Sequence, residues 1–596
     1  MVAFKEVSNL VEVLEHSVGA FGPKRLFGFE RGGRYQWVTY KEFGQMVASA
    51  RGALAALGVG RGDRVAIISD NSVAWATAAY ATYGLGAHFV PMYEEQQTSE
   101  WVYILADSQA KVVLVAGDTI AQELGEMTGE LGRLKHVINL SPSDPTAPSW
   151  QKLLQEAEPK EAVQPKSDEV AGLIYTSGTT DQPKGVMLTH GNFAHNINAV
   201  RQLFDIRNDD CSLSFLPWAH SFGQTCELHC MLANGAAMGL CESVATVLTD
   251  MPRVRPTLLF AVPQIFNRIY STLHQRAATS SDIQRRLFEE AIENARKRLQ
   301  LSQRGQTSWL VEQKQRVFNR MVFSKIRERF GGRLRYAFSG GAALSREVAE
   351  FIDALGITVY EGYGLSETSP IATANSPGHR KLGSVGRPLP GVEIRIEPVE
   401  HTDAPGHGEV VIYGPNIMKG YHNLPEASAE AFTDDGGFRS GDLGRLDRDG
   451  YLYITGRIKE QYKLENGKYV VPGPLEELLK LSPYIEQVMI CGANRPYNTA
   501  VIVPDFQALA DWALENGRDP ASQSLVKDSE VKKLIRAQLN ECGKTFRGYE
   551  HPRKFQLLTE PFTAENGMLT PKMSLKRRNI VAAYSAQIDN MYLIQA

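Results

Sequence analysis

Cysteine is scarce in this chain, with Cys211, Cys226, Cys230, Cys241, Cys491 and Cys542 the only six among 596 residues. So few, so scattered, they exclude a disulfide framework and fit a reducing compartment. Cys226, His229 and Cys230 share one turn but lack the second ligand pair that a zinc site needs, so a buried helix face is expected there. The charged stretch Met1 to Leu10 has no apolar h-region, which argues against a secretory signal. No uninterrupted run of about 18 strongly apolar residues appears either, so the expectation is a cytoplasmic protein, at most peripheral to a membrane. Net charge is nearly absent: a formal −3 leaves no footprint for nucleic acid. Internal repeats and low-complexity tracts are lacking as well, so no repeat architecture is expected.

What is present reads as a soluble globular enzyme, 43% hydrophobic and 22% charged. The chain is too long for one core, so two or more domains are expected. Its first 165 or so residues alternate in period: Tyr40 to Leu57 and Ser72 to Leu85 have helical spacing, Arg64 to Ile68 and Lys111 to Val115 read as strands. Such alternation predicts α/β layers. Pro142 to Pro165 is proline-spotted and polar, and is expected to be a connector. Ser280 to Phe330 reads as a long helical insertion with Ile283, Leu287, Phe288, Ala291, Ile292, Ala295 and Leu299 on its apolar face and Ser-Ser-Asp as its cap. Two basic clusters, Arg296-Lys297-Arg298 and Lys325 to Arg329, read first as a solvated helix face and second as a contact for anionic lipid.

The densest signal is Tyr175-Thr-Ser-Gly-Thr-Thr-Asp-Gln-Pro-Lys-Gly-Val186, which packs hydroxyls, glycines and a lysine between two apolar runs. Both runs, Val170 to Tyr175 and Val186 to Leu188, read as short buried strands. A strand-to-strand loop differs from a Walker A loop, where Gly-Lys-Ser/Thr opens a helix. Phosphates here would meet backbone N–H groups, Ser177, Thr179, Thr180 and Lys184.

This stretch resembles the phosphate-loop signature of the AMP-forming acyl- and aryl-CoA synthetases, the adenylate-forming superfamily. The family pattern has glycine where this chain has Asp181. Aspartate tolerates a positive φ better than most residues but brings a negative charge toward the triphosphate, so weaker ATP binding, a shifted loop and harmless variation stay open. The resemblance implies an α/β fold: a large multi-layer N-terminal domain of helix-flanked β-sheets, residues 1–458, and a small mobile α+β C-terminal lid, residues 459–596, hinged at Lys459. The size of the helical insertion resembles the long-chain fatty acyl-CoA synthetase branch.

Further segments fall at the family's order and spacing. Leu216-Pro-Trp-Ala-His220-Ser-Phe222 resembles the segment whose histidine lies by the substrate carboxylate, and Arg255 to Tyr270 resembles the strand and helix along the acyl side. Ser339-Gly-Gly341-Ala342-Ala343 ends a strand with residues small enough for a ligand to approach the backbone. Tyr360-Glu361-Gly362-Tyr363-Gly364-Leu-Ser366-Glu367-Thr368 resembles the element that holds adenine. There Tyr363 would stack on the base, Ser366 keeps the hydroxyl of the usual threonine, and Glu367 with Thr179 would hold Mg2+. Thr176, Ser177, Gly178 and Thr180 would bind the nucleotide. Asp442 would accept the ribose hydroxyls and Arg457 would hold the ribose or phosphate edge. Leu464 to Pro472, with Gly467 at its turn, resembles the loop that walls the pantetheine channel.

For the catalytic lysine the family pattern Thr-Pro-Thr-x-Lys-x-Lys-Arg becomes Thr570-Pro-Lys572-Met-Ser574-Leu-Lys576-Arg577. Lys572 is the first candidate and Lys576 the second. The implied activity is ATP-dependent activation of a long-chain fatty acid through an acyl-adenylate, then transfer to coenzyme A. Catalytic roles would fall to Lys572 or Lys576, His220, Thr179, Lys184 and Glu367. Mg2+ is the implied cofactor and fatty acid, ATP and coenzyme A the implied partners, with homo-oligomer formation left open. A fatty acyl-AMP ligase serving a carrier protein, or a catalytically impaired binding protein, remain the alternatives.

Overall fold

Short runs of Val, Ile and Leu between polar turns become the parallel strands Arg64–Ile68, His88–Met92, Val112–Val115 and His136–Asn139. Continuous apolar runs of this kind suit strands covered on both faces. In the computed structural model of the chain, the described residues are 6–127, 129, 131–144, 146, 149–176, 182–243, 246–278, 280–399, 406–570 and 573–593. Among them, these four strands join Val170–Thr176, Lys184–Thr189 and Gly420–Tyr421 in a seven-stranded sheet. A nine-stranded sheet lies beside it. Its centre is the parallel set Cys211–Ser214, Leu258–Ala261, Tyr336–Ser339 and Thr358–Tyr363.

One core joins the two sheets. Trp75 packs 4.9 Å from Phe89 of the seven-stranded sheet and 5.6 Å from Trp218, which in turn lies 5.7 Å from Phe27 of the nine-stranded sheet. Aromatic rings bury roughly 150–250 Å² each, so this chain of contacts contributes strongly to the interlayer packing. The helix Val73–Gly84 that carries Trp75 is buried from Trp75 to Gly84, as its lack of a polar face requires. A separate four-stranded sheet follows, Glu393–Glu397, Gly408–Tyr413, Phe438–Leu446 and Leu452–Arg457.

The C-terminal domain has its own three-stranded sheet, Ile485–Cys491, Asn498–Pro504 and Pro552–Leu557, with an apolar cluster on each face. Its buried Glu476 accepts from both terminal nitrogens of Arg577, at 2.8 and 2.5 Å, and from the Ile490 N–H at 2.6 Å. No described helix is long and apolar enough to cross a membrane.

Three local expectations change. Pro142 to Pro165 is more than a connector, because Ser149 caps a helix over Trp150–Glu156 by accepting from the Lys152 N–H at 3.3 Å. The insertion consists of helices Asp282–Gln303, Trp309–Phe318 and Ser324–Arg329 with a π-helical turn Asn319–Phe323. Phe288, Ala291, Ile292 and Ala295 are buried as expected, but Ile283 in its first turn is 81% exposed because nothing packs over that end. Ser281 occupies the cap position without a side-chain capping bond, and the Asp282 carboxylate in the first turn faces the positive end of the helix dipole instead.

Cys226, His229 and Cys230 are buried, in a π-helix Phe222–His229 that runs into the α-helix Cys230–Ala233. The His229 Nδ1 pairs with the Tyr80 hydroxyl at 2.8 Å. On the same segment the fully buried Glu227 accepts from the hydroxyls of Ser212 at 2.6 Å and Ser214 at 2.9 Å. Burial pushes its carboxyl up to about 8 against the pull of those hydroxyls. A carboxyl raised on folding holds its proton in the native state at pH values where the unfolded chain has lost it, so its contribution is full below the unfolded value and lost as pH rises through about 8. Thermal denaturation from pH 5.5 to 8.5 should therefore show a steeper fall in Tm for the wild type than for Glu227→Gln; parallel curves would contradict this.

Candidate active site

The parallel strands Leu258–Ala261, Tyr336–Ser339 and Thr358–Tyr363 end at one cavity of about 590 Å³. Carboxyl ends of parallel strands are where such folds bind ligands. Its inner wall is aromatic: Phe260 stacks on Phe338 at 4.8 Å, and Phe204 meets Phe338 edge-on at 4.9 Å. Val200 and Cys226 extend this apolar side.

Another part of the lining is charged, and a short ladder builds it. Gly420–Tyr421 pairs antiparallel with Val186 and Met187, while the Met418 N–H donates to the Glu367 carbonyl at 2.8 Å. That brings Lys184, Tyr421 and Glu367 together from three distant stretches. The Tyr421 hydroxyl donates to Glu367 Oε1 at 2.9 Å, and Lys184 Nζ sits 4.9 Å over the Tyr421 ring. A ring facing a cation and a hydroxyl facing an anion hold two opposite charges at one wall without a direct ion pair.

A second polar group forms where strands face each other. Asp442 lies opposite Arg457 in the pairing of Phe438–Leu446 with Leu452–Arg457. Its carboxylate accepts from Arg457 Nε at 2.9 Å and from the Tyr363 hydroxyl at 2.8 Å. Burial raises the Asp442 carboxyl, and Arg457 and the Tyr363 hydroxyl pull it back. Glu361, buried beside them, is pushed by burial up to about 7, opposed by Arg380 and by the backbone N–H groups of Leu344 and Gly383. Its carboxyl is therefore poised between donor and acceptor near neutral pH.

His220 also lines the cavity. The Phe222 N–H donates to its Nδ1 at 3.0 Å, which in the neutral ring puts the proton on Nε2. Gly341 has φ +85, a conformation that favours glycine, and a Cβ on Gly364 would stand 1.9 Å from the Pro370 carbonyl oxygen. Both glycines keep side chains out of the cavity wall.

Of the residues singled out in the sequence, Thr176, Lys184, His220, Gly341, Glu361, Gly362, Tyr363, Gly364, Ser366, Glu367, Arg457 and Lys459 line this one cavity. Asp442 stands directly behind it through Tyr363 and Arg457. Ser177, Gly178, Thr179, Thr180, Asp181 and Lys572 lie outside the described residues. Thr570 and Ser574, on either side of Lys572, line the cavity. Three candidates are elsewhere: Ala342 is exposed beside Gly341, Gly467 forms the φ +84 turn of the hairpin Tyr462–Lys463/Tyr469–Val470, and Lys576 Nζ lies 3.7 Å from Glu100. Tyr421 and the aromatic wall of Phe204 and Phe338 were not singled out from the sequence. Tyr421 sits in no local motif, and its role arises only from strand pairing.

A layered α/β domain with a smaller C-terminal domain contributing to its cavity is the architecture of adenylate-forming enzymes. The crystal structure of the anthranilate CoA ligase AuaEII in complex with anthranoyl-AMP shares this fold, with TM-score 0.74, 21% identity and 98% of each chain covered. So does the adenylation domain of a carboxylate reductase from Mycobacterium chelonae, with TM-score 0.78, 23% identity, and 98% of this chain and 91% of that one covered. Residues 14–422 match the profile of the AMP-binding enzymes and residues 459–595 that of the AMP-binding enzyme C-terminal domain. The chain belongs to the AMP-binding enzyme family. Among its relatives are a long-chain-fatty-acid–CoA ligase, FadD15, of Mycobacterium tuberculosis, 33% identical over 93% of this chain and 92% of the relative, and the peroxisomal long chain acyl-CoA synthetase 7 of Arabidopsis thaliana, 29% identical over 98% and 87%.

Tyr421→Phe keeps the ring under Lys184 and removes only the bond to Glu367. Loss of a hydrogen bond to a charged group costs about 1.5–3 kcal/mol, so ATP affinity measured by calorimetry should weaken by roughly tenfold or more. Unchanged affinity would remove Tyr421 from the site.

Proposed function

We propose that this protein is an AMP-forming long-chain fatty acid–CoA ligase. The observation that carries the reading is the single cavity that runs from the stacked Phe260 and Phe338 to the Lys184–Tyr421–Glu367 group. The long-chain acid comes from the names of the relatives, and the apolar wall is consistent with it. Each buried methylene contributes about 0.8 kcal/mol, so an apolar channel holds a long chain without specific polar contacts.

In this reading the acid lies with its tail along Phe204, Phe260 and Phe338 and its carboxylate near His220. Adenine stacks against Tyr363, with Glu361 near its polar edge. The ribose takes Asp442 as acceptor, displacing the Tyr363 hydroxyl or Arg457 from one carboxylate oxygen. A carboxylate oxygen attacks the α-phosphorus of ATP and the bond to pyrophosphate breaks. Lys184 and the loop residues Ser177, Thr179 and Thr180 offset the charge gathering on the phosphates, with Lys572 approaching from the C-terminal side. Coenzyme A thiolate then attacks the acyl carbon, and AMP leaves with the oxygen that bound it.

Glu367, which lines the cavity and accepts from Tyr421 on Oε1, would with Thr179 hold Mg2+. Bound there, the ion would neutralise phosphate charge and orient the triphosphate. Residues 1–458 would form the body and 459–596 a lid that turns at Lys459 between the two steps. The hairpin turn at Gly467 is away from the cavity in the present arrangement and would face the thiol after that turn.

With ATP, Mg2+ and palmitate, AMP and pyrophosphate should appear, and palmitoyl-CoA should form only when coenzyme A is added. Pyrophosphate release without thioester would replace this reading by an acyl-AMP ligase. In the same assay Lys572→Ala should lose at least about a hundredfold in adenylation, as loss of a charge acting on the transition state does. Lys576→Ala should retain most activity, because its side chain points to Glu100. The reverse order of the two variants would exchange their roles.

A further inference from the structure

None of the helical segment 282–329 lines the cavity. Even so, five of the twelve strongly exposed large apolar side chains among the described residues belong to it. Four form one group: Trp309 is 72% exposed, Leu310 64%, Val317 54% and Met321 49%. Leu310 and Val317 lie seven residues apart on one side of the helix Trp309–Phe318, and Met321 follows in the π-helical turn Asn319–Phe323, while Val311 and Phe318, each one residue further on, are buried. The helix thus buries one apolar strip, Val311 and Phe318, and leaves the neighbouring strip, Leu310 and Val317, exposed. A purely solvated face would have no physical use for a tryptophan and a leucine held in water.

The charge of the same region is distinctive. Between Arg304 and Arg329 there are seven Lys or Arg and two Asp or Glu, in a chain whose net charge is −3. One of those two acids, Glu312, is tied to Arg298 at 2.7 Å. Lys314, Arg316 and Arg320 are exposed beside the apolar residues, and none has an ion-pair partner among the described residues. Of the two basic clusters noted in the sequence, Arg296-Lys297-Arg298 is largely spent within the protein, since Arg296 lies 3.7 Å from Glu347. The unpaired positive charge sits with the exposed apolar strip.

We propose that residues 304–329 are an interfacial docking surface for anionic lipid. Trp309, Leu310 and Val317 enter the boundary between headgroups and acyl chains, and Lys314, Arg316 and Arg320 lie along the headgroup phosphates. Tryptophan is favoured at that boundary because its ring is apolar and its N–H polar. Long basic side chains bury their stems and keep their charge at the surface. A helix with an apolar strip edged by Lys and Arg is held there by burial and by attraction to anionic lipid together. A protein partner for this strip would have to be strongly acidic as well as apolar. The surface is set apart from the cavity, so docking leaves the site open to its small-molecule substrates.

The test is sedimentation of the full chain with phosphatidylcholine vesicles, with and without phosphatidylglycerol, in the absence of acid, ATP and coenzyme A, so that the outcome is independent of the proposed reaction. The wild type should bind the anionic vesicles, and less so as salt is raised. Two variants, Trp309→Ser with Leu310→Ser, and Lys314→Glu with Arg316→Glu and Arg320→Glu, should each reduce binding by about tenfold or more. Both sets of side chains are exposed, so circular dichroism should be unchanged, as should pyrophosphate release with a short water-soluble acid. Failure of the wild type to bind, or equal binding by all three proteins, would overturn the proposal. So would self-association in sedimentation velocity that both variants abolish without any effect on vesicle binding, which would give the strip to a second copy of the chain.

Discussion

Tyr421 between Lys184 and Glu367 is the contact on which the rest of the site depends. A cation and an anion at one partly buried wall would otherwise pair with each other, and a paired lysine has little field left for a phosphate. The tyrosine gives each charge its own partner, the ring face under Lys184 Nζ and the hydroxyl on Glu367 Oε1. Charges already held in place need little reorganisation when phosphate charge develops, and that is the main source of electrostatic catalysis.

Everything around that contact serves to fix its geometry. The Gly420–Tyr421 ladder rung ties the strand Lys184–Thr189 to the turn at Glu367. The neighbouring sheet places Asp442 opposite Arg457 and turns both toward Tyr363. Trp75 and Trp218 pack against each other in the core that joins the two large sheets. The C-terminal domain contributes Lys459, Thr570 and Ser574 to the cavity and meets the large domain again where Lys576 lies 3.7 Å from Glu100. In the proposed reading, turning of the C-terminal domain over this cavity would present different surfaces to the two chemical steps.

Much of this was legible in the sequence because it is local. Arg64 to Ile68 is a strand over those same residues, since a run of buried β-branched side chains has no other stable arrangement in a layered fold. The apolar runs flanking the phosphate loop pair as strands, and the segments around His220, Tyr363 and Arg457 meet at one cavity. What was hidden depends on contacts between distant segments. Tyr421 gains its role from a two-residue strand, too short to leave a pattern. The π-helix over Phe222–His229 has no simple periodic signal, because its wider turn shifts the buried face along the sequence. Helical spacing marked Ile283 as core, but spacing identifies a face without saying whether that end of it is covered. Lys576 and Gly467 fell at family positions, yet in this arrangement of the two domains neither reaches the cavity.

The central claim is that this cavity joins a carboxylate to the α-phosphorus of ATP. Supplying a long-chain fatty acid labelled with 18O in both carboxylate oxygens, with ATP, Mg2+ and coenzyme A, and following the label by mass spectrometry tests it directly. The account predicts one labelled oxygen in each AMP formed and none in pyrophosphate. Unlabelled AMP, with the label in inorganic phosphate or only in the thioester, would contradict it.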